Sequence, residues 1–331
     1  MKIYRWKLLA PVLCIVVLLS ACGNPLSILL GEKDTDVSII VNQSHTYLEE
    51  EGLRQTVLYY KDNMGLVVPM MRSIPWEEGI AKGALRQLVD EPMTREDLSV
   101  IGLLPVLPTG TDILAMSIND GLCKVDFNDR FLSYDSEADE RAIITSVVYT
   151  LTEFPTIDKV QFMVEGKEIN KFKFGTIANL YFERGNINLA QEISNDTIPV
   201  VVYYKGTANG EDDYFVPVTK GVNALKADIK SVLVALIEGA PAEVGLFSEI
   251  PAGVSINDVY VKDGIAYIDF TEEIKRMPEN EKLQQSMIYE IGLTLKEVEP
   301  TITQVRILSG GKEIQLGSSV QLNLPIYSNE Y

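Results

Sequence analysis

The sequence predicts an α+β protein made of two tandem homologous domains, each a small sheet with two helices on one face. The first observation is that residues 121–127 (GLCKVDF) recur 143 positions later as 264–270 (GIAYIDF). The second is that an aspartate precedes each copy, so that an Asp-Gly turn opens a short alternating run, which is typical of a hairpin strand. The third is that 331 residues with 46% hydrophobic content suffice for about two domains.

The N-terminus has the features of a signal peptide. Three basic residues precede an apolar run over residues 8–19, which is shorter than the ~20 residues of a spanning helix. The run ends in residues 19–22 (LSAC), which resemble the lipobox of bacterial lipoproteins at all four positions. Residues 1–21 are therefore predicted to be removed and Cys22 to be the lipid attachment site. An ordinary secretory signal or an N-terminal anchor is the alternative.

Lipidation at Cys22 predicts a location on the outer face of the cell membrane, because two acyl chains hold a protein there stably. Removal of the three basic residues with the signal changes the formal net charge from −18 to −21. Nucleic acid and anionic lipid surfaces are therefore poor partners. Only Cys123 remains as a free thiol, which excludes an internal disulfide.

The repeats and the changes in composition divide the chain into segments. The polar, acidic stretch after the signal has no sustained apolar period and is predicted to be a tether. The predicted order is signal peptide (1–21), tether (22–54), first domain (55–185), linker (186–199) and second domain (200–331).

Each domain is predicted to have the order β-β-α-β-β-α-β. A Tyr-Tyr strand and a return strand ending in proline form a hairpin within 57–69 and again within 201–217. The following helix has apolar residues at spacings of three and four, over 80–89 and over 225–237, and the first of the two is predicted to end before Pro92. Pro75 suits the start of the first of these helices.

Turns and a second helix complete each repeat. Gly-Leu to Pro-x-Gly loops lead into the strand before each Asp-Gly turn. The second helix of the first copy is predicted to begin at an N-cap, Ser136, with Asp139 three residues on. Each unit then closes with a strand and an identical Gly-Lys-Glu-Ile turn, at 166–169 and 311–314. The helices are predicted to pack on one face of a small sheet.

Few residues indicate catalysis. His45 is the only histidine and lies in the predicted tether, which excludes the usual Ser-His-Asp and Cys-His arrangements and the HExxH zinc motif. The sequence also contains no phosphate loop, no GxGxxG and no GxSxG. No catalytic, cofactor-binding or metal-binding residue is therefore predicted, and no cofactor is expected.

Asp126 and Asp269 are the remaining candidates for chemistry, because a pair of carboxylates can serve a glycosidase. Duplication explains the pair without catalysis, and an aspartate at a strand end commonly caps the turn that follows. The favoured interpretation is structural, and cation binding and catalysis remain as alternatives.

Alternation assigns the other marked side chains to the core or to the surface. Cys123 is in phase with Val125 and Phe127 and is predicted to be a core thiol. The tyrosine pairs at 59–60 and 203–204 are each predicted to have one ring in the core and one exposed. Exposed rings leave ligand binding open as the alternative.

Together, these motifs resemble the GerM family of sporulation and germination lipoproteins, which carry tandem GerMN domains after a lipid-anchored N-terminus. The Tyr-Tyr strands, proline-ended helices, Pro-x-Gly loops, Asp-Phe strand ends and Gly-Lys-Glu-Ile turns carry the match over about residues 55–320. The resemblance implies domains like the ring-building domains of the channel that joins mother cell and forespore. It also implies roles in forespore development, cortex formation and germination, without a catalytic residue.

Three functions remain open from the sequence. The first is a lipid-anchored, non-enzymatic scaffold whose domains bind protein components of the channel assembly through sheet edges or helix faces. The second is a ligand-binding lipoprotein that uses the cleft between the domains, and the third and weakest is a cell-wall hydrolase. The last two need a deep pocket with convergent polar groups.

Overall fold

The structure is a computed structural model that describes residues 38–41, 46–49, 52–77, 79–178, 180–189, 193–207, 210, 212–241 and 244–330. The described residues from Ile39 onward form one compact unit. The predicted signal peptide, Cys22 and His45 lie outside the described residues. Within the described ranges, no helix has the length and hydrophobicity needed to cross a membrane.

The elements follow the duplication that the repeats predict. Two short strands come first: β1 (Ser38–Val41) and β2 (Thr46–Glu49). The first domain consists of β3 (Leu53–Lys61), β4 (Val67–Pro75), α1 (Ile80–Arg86), α2 (Pro92–Ser99), β5 (Ile113–Asn119), β6 (Leu122–Phe127), a 3₁₀ helix (Asp129–Leu132), α3 (Glu137–Leu151), β7 (Lys159–Val164) and β8 (Lys167–Glu168).

The second domain repeats the series. It consists of β9 (Ile198–Thr207), β10 (Asp213–Val222), α4 (Ile229–Ile237), β11 (Ile256–Lys262), β12 (Ile265–Phe270), a 3₁₀ helix (Glu272–Arg276), α5 (Glu281–Lys296), β13 (Gln304–Ser309) and β14 (Lys312–Glu313). The segment boundaries drawn from the repeats stay a prediction, because secondary structure alone does not divide the chain there.

Each domain contains a four-stranded sheet and a separate hairpin. The sheets have the orders β5-β6-β7-β8 and β11-β12-β13-β14, and the hairpins are β3-β4 and β9-β10. The long helix of each domain, α3 or α5, crosses between two parallel strands, β6 and β7 or β12 and β13. The buried side chains of β6 and β12 alternate with partly exposed ones, so the core lies on one face of each sheet.

The Asp-Gly turns have the backbone that their sequence predicts. Asp120 and Gly121 have φ values of 49° and 78°, and Asp263 and Gly264 have 52° and 75°. Positive φ at both central residues matches the right-handed twist of the two strands and favours aspartate followed by glycine. The two predicted Asp-Gly hairpins, β5-β6 and β11-β12, are therefore confirmed.

The helix starts are partly as predicted. Ser136 is the N-cap of α3, and its side chain accepts a hydrogen bond from the Asp139 N–H at 3.0 Å. In the second domain, α4 begins only at Ile229, because Asp228 and Ser231 form a capping box there. Leu225 therefore precedes the helix and is exposed, contrary to prediction.

The first helical region also differs from its prediction. Pro75 ends β4 and does not start a helix; α1 begins five residues later, after Gly79 with its positive φ of 83°. A further helix, α2, begins at Pro92, which was predicted to stop a helix. Proline suits the first turn of a helix as well as a position beyond its end, since its missing N–H has no partner to lose there.

Candidate functional site

The two domains meet where β4 and β10 lie side by side, and asparagine side chains join these strands. The Asn188 Oδ1 atom accepts a hydrogen bond from the Val67 N–H at 2.7 Å. Its Nδ2 atom donates to the Val67 carbonyl at 2.7 Å and to the Pro217 carbonyl at 2.8 Å. One side chain therefore satisfies backbone groups of both domains.

Asn329 makes the matching contacts in the opposite sense. Its Oδ1 atom accepts from the Phe215 N–H at 2.7 Å, and its Nδ2 atom donates to the carbonyls of Pro69 and Phe215 at 2.7 and 2.8 Å. Pro69 and Pro217 occupy equivalent positions of the repeat and have no N–H for a ladder between β4 and β10. The two asparagines supply N–H donors where the prolines have none. We call Asn188 and Asn329 the asparagine clasp.

Beside the clasp, a Tyr-Thr-Glu constellation occurs once in each domain. In the first, the Tyr59 N–H donates to Thr150 Oγ1 at 3.2 Å, and the Tyr59 hydroxyl donates to Glu153 Oε1 at 2.8 Å. Thr150 and Glu153 lie at the end of α3 and just after it. These contacts attach α3 to β3. Burial, and to a smaller extent the negative charge of the Glu153 carboxylate, raises the pKa of Tyr59 well above its usual value.

The second domain repeats this constellation 144 residues later. The Tyr203 N–H donates to Thr294 Oγ1 at 2.9 Å, and the Tyr203 hydroxyl donates to Glu297 Oε1 at 3.0 Å. The tyrosine and the glutamate of each constellation line one cleft between the domains, with a volume of about 350 Å³. The sequence gives no sign of these glutamates, because they lie far from the tyrosines along the chain.

Arg184 breaks the symmetry of the cleft. Its guanidinium forms an ion pair with Glu153 and donates from Nε to Thr152 Oγ1 at 2.8 Å. The same group lies 4.8 Å from the centroid of the Tyr149 ring, which adds a cation–π contact. These polar groups of the cleft therefore bond mainly to each other, which favours a joint between domains over a ligand site.

The structure corrects the prediction for the tyrosine pairs. Tyr60 and Tyr204 lie in the core as alternation requires. Tyr59 is only 6% exposed, so neither ring of the first pair faces solvent, and Tyr203 is half-buried. Alternation identifies the two faces of a strand correctly, but it cannot show that the outer face of β3 is covered by other parts of the fold.

The repeated aspartates serve as turn anchors. Both carboxylate oxygens of Asp126 lie 3.0 Å from the Gly166 N–H, and Asp269 Oδ2 accepts from the Gly311 N–H at 2.8 Å. Each aspartate thereby holds the closing Gly-Lys-Glu-Ile turn of its own sheet, which agrees with the structural interpretation. Cys123 is fully buried, as predicted, and burial raises the pKa of its thiol to about 12.

Two fully buried glutamates were not found from the sequence. Glu140 accepts hydrogen bonds from the N–H groups of Phe174 and Thr176, from the Thr176 hydroxyl and from the Tyr134 hydroxyl, at 2.6 to 3.1 Å. Burial by itself raises the pKa of Glu140, but these bonds outweigh it and the pKa is lowered. Glu140 is therefore a charged anchor for the loop after β8.

Glu290 has the opposite environment. Its Oε2 atom accepts from the Glu249 N–H at 3.1 Å, and its Oε1 atom has no hydrogen-bond partner among the described residues. Burial raises the pKa of Glu290 to about 8. The nearby Lys205 ammonium is shared by Asp213 at 2.8 Å and Glu249 at 2.9 Å. A single acidic residue on an apolar helix face was the only sequence signal for this group.

Among the described residues, no group of three or more histidine, cysteine, aspartate and glutamate side chains is placed to hold a metal ion. The acidic groups described above bind backbone N–H groups, tyrosine hydroxyls or basic side chains. The fold and the interface thus define a duplicated α+β protein whose two domains are joined through asparagine and Tyr-Thr-Glu contacts.

The chain belongs to the Germane family, described as sporulation and spore germination, whose model matches residues 57–170 and 201–315. It is 33% identical over 264 residues to the spore germination protein GerM of Bacillus subtilis (strain 168), covering 77% of this chain and 71% of that protein. A solved structure of the tandem GerMN domains of that GerM aligns with a TM-score of 0.69 and 29% identity. The alignment covers 84% of this chain and 99% of the solved one. The predicted fold of two tandem GerMN domains is thereby confirmed.

Proposed function

We propose that this chain acts in sporulation and spore germination as a membrane-anchored, non-enzymatic protein that assembles with other proteins. Its partners in this proposal are components of the channel assembly between mother cell and forespore. The observation that carries the proposal is the similarity to GerM, which covers 77% of this chain in sequence and 84% in structure. A chain that kept both domains and their spacing is suited to hold two partner surfaces in a fixed relation.

The environment of the acidic residues supports a non-enzymatic role. A general acid or base needs a carboxyl group within reach of a substrate proton. Asp126 and Asp269 instead hold turns in two different sheets, Glu140 is enclosed by four hydrogen bonds, and Glu153 is paired with Arg184. These carboxylates already make hydrogen bonds or an ion pair that hold the fold together. The geometry therefore favours binding through exposed surface as the function.

Deletion of the gene in the organism that encodes it tests the proposed function. We expect fewer heat-resistant spores, and slower germination of the spores that do form, because an assembly that lacks one component is incomplete. Complementation with the full chain should restore both measurements. Normal spore yield and normal germination in the deletion strain would contradict the proposal.

Cys22→Ala tests the proposed anchor. We expect the variant to lose lipid incorporation, measured with a labelled fatty acid, and to leave the membrane fraction, because the thiol is the atom that receives the lipid. Cys123→Ala is the matched control, since that thiol is buried in the first domain. Unchanged labelling and membrane retention of Cys22→Ala would show that the anchor is elsewhere.

A further inference from the structure

The sheet of the first domain ends at β5, and no described strand pairs with the outer side of β5. The strand sequence, ILAMSIN, has no charged residue and no proline. Natural edge strands are usually protected by lysine, proline or a covering element, because their free N–H and C=O groups attract other strands. The register of β5 shifts at a bulge between Ile113 and Ala115, which β11 shares, but the following residues 115–119 carry neither charge nor proline.

The side chains of β5 are also incompletely covered. Ile118 lies opposite Cys123, whose side chain is fully buried, yet Ile118 is 41% exposed. Leu114 is 46% exposed. Ile118 occupies a core-facing position and loses its cover only because the sheet stops at this strand. One more strand on this edge would extend the core over it.

The second domain shows what a protected edge looks like in the same fold. Its edge strand, β11, carries Asp258 and Lys262 at the positions of Ala115 and Asn119. Tyr260 of β11 stacks on Tyr267 of β12, with ring centroids 4.9 Å apart. After the duplication, one copy of this edge is charged and the other is not, so the open character of β5 is not a requirement of the fold.

The charges at the ends of β5 decide which occupant fits. Asp112 and Asp120 flank the strand, and both are exposed. If two copies of β5 paired antiparallel, the Asp112 end of each strand would lie beside the Asp120 end of the other, so aspartates would come together at both ends. Like charges placed opposite each other destabilise a strand pair, and the formal charge of each copy is −18. The flanking aspartates therefore oppose a second copy and favour basic residues.

We propose that the open edge of β5 binds an extended segment of another protein by strand addition, and that this segment has an apolar centre and a lysine or arginine at each end. Its backbone would pair with the free groups of β5, its apolar side chains would cover Ile118, and its basic ends would meet Asp112 and Asp120. This proposal rests on the proposed function, because it names the surface through which the assembly is made.

Binding of a designed peptide to the full-length chain in detergent micelles tests this site. The probe is the nine-residue peptide KTITVSITK, capped at both ends, which spans residues 112–120 and places apolar residues opposite Met116 and Ile118; the comparison peptide is ETITVSITE. We expect the lysine peptide to bind about tenfold more tightly, since two attractive end pairs replace two repulsive ones. Hydrogen exchange should slow in β5 and not in β11.

Variants separate the strand edge from its charges. Ile118→Lys should abolish binding of the lysine peptide, while Val261→Lys, at the equivalent position of β11, should leave it unchanged. The double variant Asp112→Asn with Asp120→Asn should remove the preference between the two peptides, and Asp263→Asn serves as its control. Asparagine suits the positive φ of Asp120, so these variants keep the turn.

Three results would overturn the site: binding that survives Ile118→Lys, protection that appears at β11, or a dimer of the full chain that Ile118→Lys abolishes, which would make a second copy the occupant. The proposed function fails separately. If deletion of the gene impairs sporulation but the Ile118→Lys chain restores it fully, only the β5 proposal is wrong. If deletion has no effect while the peptide binds as expected, only the proposed function is wrong.

Discussion

Replacing either residue of the asparagine clasp by aspartate is expected to lower the free energy of unfolding by about 2 to 4 kcal/mol. Asn188→Asp and Asn329→Asp keep the shape and one acceptor but remove the Nδ2 donor, so carbonyls of both β4 and β10 lose a partner. A buried backbone group without a partner costs ~1–3 kcal/mol, and the new negative charge would face those carbonyls. Aspartate also suits the positive φ of Asn188, 47°, so backbone strain does not confuse the result.

Chemical and thermal denaturation measure this effect. We expect the variants to unfold in two steps, because the domains lose the contacts that make them one cooperative unit. Asn186→Asp is the matched control, since Asn186 is exposed and precedes Asn188 by two residues. If the clasp variants unfold in a single transition with the stability of the unchanged chain, the domains are held together by other contacts.

Glu290→Gln is expected to stabilise the chain at alkaline pH and to have little effect at acid pH. The pKa of Glu290 is about 8 in the folded chain, above its ordinary value of 4.5, because the carboxyl group is buried. The folded state therefore keeps a proton that the unfolded state releases. The stabilising contribution is full below pH 4.5 and is lost as the pH rises through about 8. Glutamine cannot ionise and should avoid this loss.

The size of the effect follows from the same pKa shift. A rise from 4.5 to about 8 is worth up to about 5 kcal/mol at ~1.4 kcal/mol per pKa unit. We expect Glu290→Gln to exceed the unchanged chain by several kcal/mol at pH 9 and to lie within about 1 kcal/mol of it at pH 4. Urea denaturation across this range measures the difference, with the exposed Glu279→Gln as control. A difference that does not grow with pH would show that the pKa of Glu290 is not raised in the folded chain.

The elements defined by local chemistry were predictable. The Asp-Gly turns, the Ser136 N-cap and the burial of Cys123 depend on neighbours within a few residues or on strict alternation, and all three are confirmed. Helix starts were less predictable because proline occurs both at the end of one element and at the start of the next. Pro75 ends a strand, whereas Pro92 begins a helix. Sequence alone does not distinguish a proline that stops an element from one that opens the next.

The candidate site was less accessible to sequence reasoning. Tyr59 was noticed, but its partners Thr150 and Glu153 follow about ninety residues later, and nothing local links them. Glu140 and Glu290 lie on mainly apolar helix faces. An acidic residue there departs from the apolar pattern, but the sequence does not show which groups it contacts. One is held charged and the other neutral at neutral pH, because only the first receives enough hydrogen bonds to offset burial.

The sequence by itself determined that this chain is one α+β unit built twice. Turns, caps and alternating strands depend on neighbouring residues, and both copies contain the same signals. It also favoured a structural role for the repeated aspartates Asp126 and Asp269 over cation binding and catalysis. Only the tertiary structure decided how the two units are joined and which sheet edge stays open. Those features depend on backbone groups of distant segments meeting in space. Two prolines leave a gap between β4 and β10 that two asparagines fill, and β5 is an uncharged edge of its sheet, whereas β11 is a charged edge of the other sheet.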